Sequence, residues 1–162
     1  MGGWSKLREL LFPEHGGGDG ASHPAEPMEI LVGLFERLEH LARQLEFHAE
    51  AAPYPHVGAQ LRRIAAEKHE QARWVRSLIE RERGWARTPS GELAAGKNHW
   101  ARLMQDVRDQ AELENFIVAH ELRLADDPET SEILRRIKGA QDPHRRHLAR
   151  LLAVADPQAT QT

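Results

Sequence analysis

The sequence predicts an all-α protein, an antiparallel four-helix bundle made of two αα-hairpins joined by a long crossover. Three observations carry this expectation. Leu, Ala, Glu, Arg and Gln dominate the 162 residues, whereas Val, Ile and Thr are sparse and Tyr54 is the single tyrosine, so helix formers outweigh strand formers. Apolar residues recur at three- and four-residue spacings over four long stretches, the signature of helices with one buried face. The nine prolines fall almost entirely between those stretches, where they punctuate rather than interrupt.

Residues 1–13, MGGWSKLRELLFP, read as a short amphipathic helix with Trp4, Leu7, Leu10 and Leu11 on one side and Ser5 as its N-cap. Residues 14–27 are rich in Gly and Pro and read as a flexible linker. The first long helix is expected over 28–52, with Leu31, Leu34, Phe35, Leu38, Leu41, Ala42, Leu45 and Ala49 inward, and the PYP of 53–55 ends it. The second runs over 56–83 on Val57, Leu61, Ile64, Ala65, Ala72, Val75 and Ile79, with Gly84 as C-cap. Residues 84–97 form the crossover. The third helix, 98–125, takes Asn98 as a cap and turns Trp100, Leu103, Met104, Val107, Ala111, Val118 and Leu122 inward. The fourth, 129–155, is expected to break near Pro143, and 158–162 is a tail. The bundle thus occupies 28–157, and its halves repeat: LRRI at 61–64 matches LRRI at 134–137, and the same offset of 73 places Pro55 on Pro128.

Composition narrows function. A net charge of -3 with both signs interspersed argues against a nucleic-acid binder. The absence of cysteine removes disulfides, thiolate nucleophiles and cysteine-held metals. No apolar run is long enough to span a bilayer and no signal-peptide core is present, so a cytoplasmic domain is expected. Neither a catalytic Ser/His/Asp pattern, nor a phosphate loop, nor a dinucleotide fingerprint is found.

LRRIAAEKHEQARWVRSLI, NHWARLMQDVRDQAELE and LARLLAVADPQA resemble the second, third and fourth helices of the rubrerythrin-like branch of the ferritin-like superfamily. The resemblance covers 28–157. It implies a dinuclear iron or manganese centre held by a Glu-x-x-His on helices two and four and single Glu residues from helices one and three. Matched residue by residue, Lys68 stands where the helix-two Glu is implied and Gln71 where its His is. Gln141 replaces the helix-four Glu, and His144 matches the helix-four His. Glu114 matches the helix-three Glu, whereas helix one offers Phe35, Leu38, Leu41 and Leu45 inward and no carboxylate. Helical geometry, at about 100° per residue, points Lys68 to the middle of its apolar stripe and places Glu114 and Glu121 on the inward stripe of helix three.

These residues predict a lost metal centre. Lys68 is expected to pair with Glu114, with Gln71, Gln141 and His144 completing a buried polar network. On that footing Lys68→Met destabilises by about 3–5 kcal/mol, because Glu114 is stranded. The expected role is a non-catalytic structural or accessory subunit without cofactor. The alternative is an iron- or manganese-binding oxidase or iron-handling protein using Glu114, Glu121, His48 and His144, with His48 close to Glu121. Leu113, Phe116 and Ile117 form a second apolar surface on helix three, suited to a homodimer or to the N-terminal helix. Trp4, Leu7, Leu10 and Leu11 are the expected contacts to a protein partner.

Overall fold

The computed structural model describes residues 26–93 and 95–156. They form four α-helices, α1 (Pro27–Glu50), α2 (Pro55–Arg83), α3 (His99–His120) and α4 (Pro128–Ala153), with a 3-10 turn at Glu121–Leu124. No strand occurs among the described residues. The helix expected over 1–13, its linker up to residue 25 and the tail lie outside them.

Local chemistry sets the helix ends. Pro27, Pro55 and Pro128 open α1, α2 and α4 at first-turn positions, where a missing backbone donor costs nothing. Asn98 caps α3 by accepting from the Ala101 amide at 2.8 Å, and Asp127 caps α4 through the Thr130 amide at 3.0 Å. Gly84 closes α2 at φ 76°, a left-handed conformation that glycine adopts without strain. The third helix ends five residues earlier than expected, at His120, and its last turn tightens to 3-10.

α4 runs through Pro143 without a break, contrary to the expected interruption. Pro143 denies a donor to the carbonyl of Gly139, but both residues are exposed, so that carbonyl is not sealed in the core. Pro143→Ala is expected to raise stability by about 1–3 kcal/mol by restoring that bond, as read by urea denaturation. An unchanged midpoint would mean that the helix has already absorbed the proline.

α1 packs on α2 and α3, and α4 packs on the same two helices. Gln44 and His48 of α1 meet Asp109 and Asp106 of α3. Lys68 and Arg81 of α2 meet Gln141 and Glu129 of α4, while Gln110 and Glu121 meet Gln141 and Lys138. In each of these pairs of helices residue numbers fall on one as they rise on the other. The crossover is tied to both helices of the first hairpin: Arg43 donates to the Pro89 carbonyl at 2.8 Å and Arg76 to Thr88 Oγ1 at 3.1 Å.

The inward stripes of α1 and α2 are those the sequence predicts, Lys68 included. α3 is not. Its buried residues are Arg102, Leu103, Asp106, Asp109, Gln110, Leu113 and Ile117, a face turned by about 100° from the expected one. Leu113 and Ile117 are core and Phe116 packs against it, so they form no second outer surface. Val118 and Leu122, expected inside, are exposed instead. The cause is polar: Asp106, Asp109 and Gln110 take inward positions because buried partners on α1 and α4 satisfy them.

Candidate functional site: a lysine at the centre of the bundle

Lys68 projects from the middle of the apolar stripe of α2 and is 0% exposed. Its Nζ donates to Gln141 Oε1 at 3.0 Å and to His144 Nδ1 at 3.1 Å. The rest of the network is made of amides. Gln141 Nε2 donates to Gln71 Oε1 at 3.0 Å and to the Ile137 carbonyl at 2.7 Å, and Gln110 Nε2 donates to Gln141 Oε1 at 3.1 Å. Lys68 and Gln141 are equivalent positions of the internal repeat, as are Gln71 and His144. The halves therefore bring their own counterparts together between α2 and α4.

Tautomers follow from this arrangement. The protonated Lys68 only donates, so His144 Nδ1 then accepts, and its Nε2 carries the proton that goes to Glu67 Oε2 at 2.6 Å. A chain of hydrogen bonds thus runs from the half-exposed Glu67 carboxylate through the imidazole to the buried amine. Burial pushes the Lys68 amine down to about 7, against the pull of the Glu114 and Glu67 charges. Burial also lowers His144, to about 4, and the neighbouring Lys68 charge adds to this.

Glu114 does not complete the network as expected. No hydrogen bond or ion pair joins it to Lys68. It lies partly exposed at the edge and pairs with Arg145 at 3.5 Å, and burial raises its carboxyl above the usual range. Glu67 makes the outer contact instead. Glu67→Gln is expected to change stability by less than about 1 kcal/mol, since the carboxylate is half-exposed and the amide oxygen can still accept from His144. It should also lower the Lys68 pKa below its present value by removing a negative charge, a change read by NMR of the amine.

A second polar cluster, between α1 and α3, escaped sequence reasoning. His48 Nδ1 meets both oxygens of Asp106, at 2.8 and 2.9 Å. Gln44 Nε2 bridges Asp106 and Asp109, at 2.9 and 2.7 Å, and Gln105 donates to Asp109 at 2.8 Å. Asp106 is 0% exposed, and burial raises its carboxyl despite the His48 contact. The one available signal was the run of Asp106, Asp109 and Gln110 at helical spacing, which hydrophobic periodicity assigns to solvent.

The metal set of the alternative reading is scattered. His48 bonds Asp106 rather than Glu121, Glu121 pairs with Lys138 at 2.7 Å, Glu114 with Arg145, and His144 with Lys68 and Glu67. Among the described residues, no three His, Asp or Glu side chains converge as metal ligands. The donor chemistry at the bundle centre, one amine, three amides and one imidazole, does not fit two iron or manganese ions, which take anionic oxygen ligands. No helix among the described residues is long and apolar enough to cross a membrane. No protein-family model matches the chain, and no curated protein matches it.

Proposed function

We propose that the chain is a rubrerythrin-like, ferritin-like antiparallel bundle in which a lysine-centred network stands where that family holds two metal ions. In this reading it is a cytoplasmic, non-catalytic structural or accessory subunit that presents helical surfaces to a protein partner or to a second copy of itself. Trp4, Leu7, Leu10 and Leu11, outside the described residues, are its contact surface. Fold-level analogy alone does not establish function; one observation supports the reading most. Lys68 is entirely buried between α2 and α4 and bonds Gln141, its own repeat equivalent. A cation at that point opposes a second cation. The pairing of neighbouring helices in opposite directions, with a crossover after α2, supports the family arrangement.

The test is elemental analysis of protein purified without chelator, followed by iron and manganese titration. No bound metal and a melting temperature indifferent to either ion are expected. About two ions per chain would overturn the reading. About one, lost in Glu114→Gln and His144→Gln, would favour the altered-site oxidase or iron-handling alternative.

A further inference from the structure

Residues 84–93 leave the end of α2 without regular structure, and Arg87, Thr88 and Ser90 are exposed there. The Thr88 hydroxyl is held by a cation from another element. Arg76 of α2 donates through Nη2 to Thr88 Oγ1 at 3.1 Å, and one residue along Arg43 of α1 donates to the Pro89 carbonyl at 2.8 Å. Burial raises the Glu36 carboxyl of α1, and the charges of Arg37 and Arg87 are near enough to pull against it. Other surface hydroxyls are used differently. Ser77 donates to the Arg73 carbonyl of its own helix, and Thr130 to the capping Asp127.

The Arg76 guanidinium has a donor to spare. Its Nε is buried and makes no hydrogen bond among the described residues, with the Glu80 carboxylate 3.6 Å away. A buried donor without a partner is costly, so an acceptor brought to it is held. Around Thr88, Arg76, Arg43 and Arg87 outnumber Glu36 and Glu80, a balance that suits an added anion. Pro89 biases Thr88 towards extended backbone. An exposed residue in an irregular segment enters an enzyme's active site without unfolding the bundle. We propose that Thr88 is a phosphorylation site, and that Arg76 and Arg43 form the receiver that binds its phosphate and fixes the crossover on the first hairpin. A protein kinase transfers the γ-phosphoryl group of a nucleoside triphosphate to Thr88 Oγ1. The bond to the leaving nucleoside diphosphate breaks, the O–P bond forms, and the hydroxyl proton passes to the kinase's base. Phosphothreonine brings about two negative charges and three acceptor oxygens. Arg76, whose Nη2 already points at Oγ1, then makes charge-assisted hydrogen bonds, and Arg43 turns from the Pro89 carbonyl to join it. This modification goes beyond the proposed function and depends neither on the metal question nor on a partner.

Phosphothreonine encoded at position 88 of the full chain tests the receiver. A phosphorus NMR titration should show the phosphate binding its second proton about tenfold more weakly than in a free peptide of residues 84–97, which contains Arg87 but neither Arg76 nor Arg43. Arg76→Gln and Arg43→Gln, each checked for an unchanged helical circular-dichroism spectrum, should together recover most of that difference. Equal proton affinity in chain and peptide, or a difference that survives both substitutions, would overturn the receiver. Phosphopeptide mapping of the chain taken from the cells that make it, growing and resting, should find the phosphoryl group on Thr88. Its absence in both, or its presence on Ser90 instead, would overturn the assignment.

Discussion

Folding stability is expected to climb from pH 7 to about pH 10, by up to about 1.4 kcal/mol per pH unit, and Lys68→Met is expected to abolish the climb. The folded Lys68 amine titrates at about 7 and the unfolded one near 10.5. Between those values the unfolded chain binds a proton that the folded chain does not, so stability rises with pH. Below pH 7 both states are protonated and the full cost of burying an ammonium is borne, about 4–5 kcal/mol. His144, at about 4 when folded, acts in the same direction between pH 4 and its unfolded value near 6.5. Asp106 and Glu114, both raised, oppose it in the acid range, where their stabilisation is lost as pH rises through the folded values. The interval above pH 7 therefore isolates Lys68.

The same argument reverses the sign of a substitution. Lys68→Met was expected to destabilise by stranding Glu114, but Glu114 is held by Arg145 at the edge of the bundle. The substitution instead relieves about 4 kcal/mol of buried charge at pH 7 and leaves His144 Nδ1 without its donor, at about 1–3 kcal/mol. A net gain of about 1–3 kcal/mol is expected. Urea denaturation of both proteins from pH 7 to 10 measures the two effects together. A flat wild-type profile would show that the ammonium is not penalised where it sits.

His48→Leu is expected to cost about 3–5 kcal/mol, because it leaves the Asp106 carboxylate buried without the imidazole that meets both its oxygens. Combining it with Asp106→Asn removes the stranded charge while keeping an acceptor for Gln44, and should recover most of the loss. Chemical denaturation of the single and double variants separates the pair from simple packing loss. A single-variant cost below about 1 kcal/mol would mean that Asp106 does not depend on the imidazole.

Much of this architecture is legible in the sequence, and the failures are instructive. α1 and α2 carry one apolar stripe each, so periodicity alone orients them, and a lysine in the middle of the second stripe stands out as an anomaly. α3 carries two competing stripes. Trp100, Leu103, Met104, Val107, Ala111, Val118 and Leu122 follow the helical period as well as Leu113 and Ile117 do, and the first set is longer; only Leu103 of it is buried. Hydrophobic counting chose the longer set. The structure uses the other, because Asp106, Asp109 and Gln110 lie on its side.

Sequence by itself determined the all-helical class, three of the capping or terminating signals (Asn98, Gly84 and the proline at 55), the inward face of the first hairpin and the central place of Lys68. These depend on local propensity and on a single helix's period, which are written in consecutive residues. Tertiary structure decided the rotation of α3, the continuity of α4 through Pro143, and which partners Lys68, His48, Glu114 and Glu121 take. Those depend on whether a polar side chain meets a complementary one across the bundle, and such a partner, 58 residues away for His48 and Asp106, leaves no mark on the helix that needs it.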